Sequence, residues 1–202
     1  MSESTNIPEI REVILTSYLF DGYPSALEGF RLLSDLELRH SCLRKSSEAH
    51  SQRLSGTHSG ETSSDSAACD QVSPPDRSKL NYTPANLSLW RSRGVPLYRQ
   101  IYGDQADKLQ ARVQAFAPEL ADAMLVEGYG KVLSRDALDI ATRELCIVTM
   151  LAVKDKPRQL LSHALGALRV GATSERLLAI PDHIADFLTT DPTPILQTAI
   201  SK

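Results

Sequence analysis

Aromatic residues are scarce in this chain: Phe, Trp and Tyr make up 5% of its 202 residues. A core must then be packed from aliphatic side chains, which favours helices over a sandwich, and a hydrophobic content of 42% is enough to fill one. Cysteine is nearly absent too. Cys42, Cys69 and Cys146 are widely spaced and odd in number, which excludes a disulfide framework, a C-x-x-C redox motif and a thiolate zinc site. The five histidines are scattered and form no zinc pattern. Excess positive charge is lacking, with a net charge of −3, so nucleic acid and acidic membranes are not expected partners. No apolar run reaches the roughly 18–20 residues that a membrane span needs. The start, MSESTNIPEIRE, has neither the basic opening nor the apolar core of a secretory leader. Together with unpaired thiols this gives a cytoplasmic expectation.

What is present divides the chain into three parts: 1–44, 45–79 and 80–202. Residues 7–39 carry helical stripes, Ile10, Ile14, Tyr18 and Leu19 in one and Ala26, Leu27, Phe30 and Leu33 in the next. Asp21-Gly22-Tyr23-Pro24 breaks them, with Gly22 as a C-cap and Pro24 opening the second helix. Residues 45–79 are rich in Ser, Thr, Gly and Asp and nearly free of large apolar groups. Such a stretch cannot bury enough surface to offset its ordering entropy, so a disordered linker is expected, with His50, His58 and Cys69 solvated within it.

The third part opens with a transitional stretch, 80–103, in which Trp90, Val95, Tyr98, Ile101 and Tyr102 read as apolar anchors. A helix begins near Asp104 and carries Leu109, Val113 and Phe116. Pro118 opens another, with Leu120, Ala121, Met124 and Leu125 inward, closed by Glu127-Gly128-Tyr129-Gly130. A hairpin follows. Its first helix is capped by Ser134 or Asp136 and runs to about Val153, apolar nearly all round from Leu145 onward and therefore central. Lys154-Asp155-Lys156 turns the chain, and Pro157 starts a helix that ends at Gly171. Thr173 or Ser174 caps a further helix, with Leu177, Leu178, Ile184, Phe187 and Leu188 inward and Pro181 as a split or kink. Asp191-Pro192-Thr193-Pro194 precedes a last short helix, Ile195 to Ile200. IREVILTSYLFDGYPSALEGF and ERLLAIPDHIADFLTTDPTPIL echo each other weakly, both reading helix, polar break with proline, helix. Duplication and chance likeness of helical hairpins both account for that.

Two polar residues stand out in the hairpin. Glu144 shares a face with Ala137, Ile140, Ala141, Val148 and Leu151. An ionised acid there must be paired, or it takes up a proton. His163 lies on a stripe with Gln159, Gly166, Ala167 and Val170. A short turn between antiparallel helices brings Glu144 and His163 to similar heights, since each residue advances a helix by about 1.5 Å. A carboxylate holding an imidazole in one tautomer tunes a general base. A structural ion pair for Glu144 and a satisfied core histidine for His163 are the competing readings. Tyr129 and Arg143 are polar candidates at a pocket rim. Arg143 can hold a substrate carboxylate or make a surface ion pair. Cys146 sits in the apolar run LCIVTML, where a thiol pKa rises and reactivity falls.

The segments Pro118-Glu119-Leu120, Tyr129-Gly130-Lys131-Val132-Leu133, Arg143-Glu144-Leu145, Gln159-Leu160-Leu161-Ser162-His163 and Gly171-Ala172-Thr173-Ser174-Glu175 resemble the carboxymuconolactone decarboxylase family and its relatives, the alkylhydroperoxidase D-like proteins. Their order and spacing span about residues 100–180. The N-terminal YLFDGYPSALEGF is similar to the family's closing segment, which normally follows the His helix and here precedes everything. The resemblance implies an all-α bundle of the alkylhydroperoxidase D-like type, assembled as a homo-oligomer (trimer or hexamer), with a small-molecule site between the hairpin helices and no cofactor or metal. It implies proton relay by Glu144 and His163, with Arg143, Gln159 and Tyr129 as substrate-binding candidates. In the peroxidase branch a C-x-x-C opens the His helix, and those positions here are Lys156 and Gln159, so disulfide chemistry by that route is closed. The decarboxylase branch also lacks the cysteine pair. Its frequent acidic residue is replaced by Gln159, which argues against decarboxylation of the same lactone. The expected activity is that of a lyase on a small carboxylated lactone or organic acid. A peroxide-reducing, peroxiredoxin-type protein and a non-catalytic oligomeric module are the alternatives.

Overall fold

The computed structural model describes residues 6–54 and 81–202, and all of the regular structure among them is helical. Helix α1 (Ile7–Leu54) is two arms joined at Gly22, whose φ of 80° and ψ of 178° leave the helical region. Glycine adopts that conformation without the Cβ penalty other residues meet. The arms fold back on each other. A Cβ at Gly29 would lie 3.0 Å from the Ile14 side chain, and the Arg11 guanidinium sits 5.3 Å from the Phe30 ring centre. The expected break at residues 21–24 is therefore present. The helix continues to Leu54, ten residues into the stretch expected to be linker. Residues 55–79 of that stretch, with His58 and Cys69, lie outside the described residues.

The remaining helices are α2 (Pro84–Tyr102), α3 (Ala106–Phe116), α4 (Pro118–Ala123), α5 (Ile140–Val153), α6 (Pro157–Arg169), α7 (Ser174–His183) and α8 (Thr193–Ile200). Residues 84–102, expected to be transitional, form a full helix. The Thr83 side chain caps it, accepting from the Asn86 N–H at 3.2 Å, Pro84 occupies its first turn, and Pro96 is accommodated inside it. The segment after α4 does not close at Gly130. It widens into a π-helix, Met124–Leu133, a form that concentrates at functional sites. The cap of α5 is Asp139, which accepts from the Thr142 N–H at 2.9 Å, and not Ser134 or Asp136. The turn at residues 154–156, Pro157 at the start of α6 and Thr173 as the cap of α7 stand where they were expected.

The core is aliphatic with three tyrosines set into it. Leu125, Ile147, Val148, Leu177 and Leu196 are fully buried, and Tyr98, Tyr102 and Tyr129 join them. Phe116, Leu120 and Phe187, expected to point inward, are exposed. Periodicity marks which residues favour burial, but α3, α4 and the turn after α7 are peripheral and cover only one side of such residues.

Helix α2 crosses the π-helix at a glycine-to-glycine contact. A Cβ on Gly94 would fall 2.0 Å from the Leu125 carbonyl oxygen, and one on Gly130 would fall 2.0 Å from the Trp90 carbonyl oxygen. Both obstacles are backbone and cannot rotate away. We expect Gly130→Ala to lower stability by at least the roughly 1–3 kcal/mol typical of overpacking, read as the shift of a urea unfolding midpoint. Gly128→Ala, with nothing within 4 Å of the added carbon, serves as the control.

Candidate functional site

The hairpin turn sets α5 and α6 side by side, and Glu144 and His163 meet between them. His163 Nδ1 lies 2.9 Å from Glu144 Oε2, with Glu144 1% and His163 7% exposed. The approach depends on Gly166, one turn beyond His163. A Cβ there would lie 3.2 Å from Glu144 Oε2 and 2.6 Å from Ile101. A carboxylate can only accept, so Nδ1–H donates to Glu144 and Nε2 is left with its lone pair. That nitrogen faces Tyr102, whose hydroxyl is 3.3 Å away. The Tyr102 hydroxyl in turn lies 2.7 Å from that of Tyr129. The four groups form one chain in which Tyr129 donates to Tyr102 and Tyr102 donates to His163. Phe20, from the first arm of α1, closes the other side, its ring meeting the imidazole edge-on at 5.9 Å.

Tyr102 is the residue that sequence reasoning missed as a polar group. It reads as an apolar anchor, and the Pro96 before it hides the helix that aims it. Its spacing from Tyr98, one helical turn, was the available signal: the two rings pack at 4.6 Å, and Tyr98 meets Tyr129 at 5.0 Å.

Arg143 is placed elsewhere. It is 1% exposed, donating from Nη1 to the Thr16 hydroxyl at 3.0 Å, and from Nη2 to Glu12 at 3.1 Å and to the Arg135 carbonyl at 2.9 Å. The Arg135 side chain also donates to Glu12, at 2.8 Å. The guanidinium expected to hold a substrate carboxylate is committed to anchoring α1, and only its Nε, buried without a partner, is uncommitted. Gln159 is exposed on α6, and Lys156, which immediately precedes that helix, is exposed too. Tyr129 is not at a rim but fully inside. Cys146 is half-buried and free, and burial raises its pKa, as expected. Among the described residues no group of His, Cys, Asp and Glu could hold a metal ion.

Breaking the anchor strands a charge. Removing one partner of a buried ion pair costs roughly 3–5 kcal/mol, so Glu12→Ala should destabilise the chain by about that much in urea. An Arg31→Ala exchange at the exposed pair with Glu28 should move stability by less than about 1 kcal/mol.

Burial raises the pKa of all three tyrosines. Tyr98 is pushed up to about 12. Tyr102 is raised by burial, partly offset by hydrogen bonds with Tyr129 and Ser162, and Tyr129 is raised by burial and then by neighbouring charge. Each stays a protonated donor at neutral pH. A folded pKa above the unfolded value of about 10 means the folded form holds protons that the unfolded form has lost, so stability falls as pH rises past about 10. Urea midpoints between pH 9 and 11.5 should show the fall, with a shallower slope in Tyr98→Phe.

A 32% identity over 88 residues relates the chain to Peroxisomal protein 2 of Schizosaccharomyces pombe, covering 43% of this chain and 41% of that protein. The chain thus matches less than half the length of that relative. The model of the carboxymuconolactone decarboxylase family matches residues 118–192, from the start of α4 to the start of α8, a stretch that contains both Glu144 and His163. The resemblance carried by the motifs between about residues 100 and 180 is thus matched by the family model over residues 118–192.

Proposed function

We propose that this chain is a lyase of the carboxymuconolactone decarboxylase type, acting on a small carboxylated lactone or a related organic acid. The observation that carries the reading is the buried chain Glu144–His163–Tyr102–Tyr129. In the proposed reaction the bond between the substrate's carboxylate carbon and its neighbour breaks. Carbon dioxide leaves, the electron pair stays on the neighbouring carbon, and a proton delivered through His163 and Tyr102 quenches it. Glu144 fixes the tautomer and stabilises the imidazolium whenever His163 takes up a proton from solvent. Tyr129 holds the Tyr102 hydroxyl in line. Tyr129 serves in this reading as a positioning residue, and neither Arg143 nor Gln159 is assigned substrate contact.

The thiol peroxidase alternative has less support. Cys146 is a half-buried thiol with a raised pKa, two residues past Glu144, and Lys156 and Gln159 stand where the peroxidase branch has its cysteines. Assembly into trimers or hexamers is part of the proposal, supported by the exposed Leu27, Leu36, Phe116 and Phe187. The proposed compartment is a reducing one. The cytoplasm suits the unpaired cysteines, and the name of the fission-yeast relative puts a peroxisomal location beside it. No helix among the described residues is long and apolar enough to cross a membrane.

The test is release of carbon dioxide from a panel of five-membered lactone carboxylates, with uptake of one solvent deuterium per turnover in heavy water. His163→Gln should lower kcat by about 10²–10⁴-fold, the usual worth of a general acid–base group, and Cys146→Ser should leave it unchanged. Intact turnover in His163→Gln would refute the proton assignment. Loss in Cys146→Ser would favour the thiol route.

A further inference from the structure

A cavity of about 190 Å³ opens on the far side of Tyr102, between α3 and α6. It is smaller than the roughly 300–1,000 Å³ of clefts that take drug-sized ligands, so its occupant is small. Its wall carries Lys108, Arg112 and Arg169, with Gln105 and Ser162 between them and Tyr102 at one end. This is a local concentration of positive charge in a chain whose net charge is −3. Among the described residues no carboxylate is ion-paired with any of the three cations; Arg93, Lys156, Arg158 and Arg176 share that feature, but none of them lines this cavity. Arg169 is nonetheless fixed in place. Its guanidinium donates to the Ile101 carbonyl and lies against Gly103, where an added Cβ would come within 3.0 Å of Nε.

Three cations, none paired with a carboxylate among the described residues, thus face one small cavity that ends at the hydroxyl chain. We propose that this cavity is the carboxylate subsite, that it takes a small organic acid bearing two or more carboxylates, and that Lys108 and Arg112 determine that specificity. The inference rests on the proton-transfer reading above, and it gives the substrate the charge handle that Arg143, buried against Glu12, does not supply. Arg112 suits a planar, two-pronged contact with a carboxylate, Lys108 a single-point contact. Gln105 and Ser162 add neutral hydrogen bonds. A ligand held there presents its inner end to Tyr102, and through Tyr102 to His163.

The probe is citrate, titrated calorimetrically into the full chain at low ionic strength, with trimethyl citrate as its uncharged counterpart. Citrate should bind at one site per chain, more weakly as salt is raised, and the ester should not bind. Both Lys108 and Arg112 are exposed, so Lys108→Gln with Arg112→Gln should fold normally by circular dichroism and weaken citrate at least tenfold. The charge-reversed Lys108→Glu, Arg112→Glu pair should abolish binding. His163→Gln should bind citrate as the parent does, which separates this subsite from the proton chemistry. Citrate that fails to bind the parent, binds the glutamine pair unchanged, or is matched by its ester would overturn the proposal. Normal citrate binding alongside unimpaired turnover in His163→Gln would keep the subsite and discard the proton assignment.

Discussion

A carboxylate taken out of water at the centre of a helical bundle must be answered at once, and in this chain the answer is one nitrogen. Glu144 meets His163 Nδ1 and, across the helix interface, the bare backbone of Gly166. The desolvation cost of a lone buried ion is several kcal/mol, comparable to much of a domain's net stability. Helices α5 and α6 therefore cannot slide past each other. A slip of one residue turns His163 by about 100° and leaves the acid facing aliphatic carbon. The register of the hairpin, and with it the orientation of the imidazole toward Tyr102, is set by this pair more than by the packing of leucines, which tolerate small shifts.

Its neighbour in sequence does the complementary work. Arg143 and Glu144 are adjacent on α5 and so point to different sides of the helix, one buried cation and one buried anion. Arg143 binds Glu12 and Thr16 of α1, while Glu144 binds α6. Helix α5 thus fastens the N-terminal arm with one charge and the His163 imidazole with the other. The two jobs converge, because the arm fastened by Arg143 carries the Phe20 that covers His163. Water is kept from that face of the imidazole by an element some 140 residues away in sequence, and the hydroxyl chain on the other face becomes the open route for a proton.

The pairing of Glu144 with His163 was legible because it is local. A three-residue turn, a proline start and a count of helical rises place the two side chains together without knowledge of the rest of the fold. Arg143 was not legible in that way. Its partner Glu12 is 131 residues distant, and nothing in the composition of either segment advertises the other, so a buried structural cation and a substrate clamp look alike in sequence. Tyr102 was hidden by two effects: the proline six residues earlier weakens the helical signal, and tyrosine in an apolar stretch reads as packing. The π-helix carrying Tyr129 escapes a search for 3.6-residue periods by construction. The break at Gly22 was clear, since Gly and Pro mark turns directly. Whether an apolar stripe such as that of Phe116 finds a partner depends on which neighbours surround α3, and that is a property of the whole fold.

The tyrosines also constrain what the chain of hydrogen bonds can do. Burial raises their pKa values, so a phenolate at Tyr102 is disfavoured and that hydroxyl is a poor resting base. It can still pass a proton when it gains one from its neighbour as it gives one up, because its charge then never builds fully. The group that must bear charge during transfer is His163, and it alone has a carboxylate at hand to stabilise the cation. In the proposed reaction the labour divides accordingly: Glu144 stabilises, His163 holds the proton, and Tyr102 delivers it at the boundary with the cationic cavity. A negatively charged substrate in that cavity would draw the proton outward, toward the carbon losing its carboxylate.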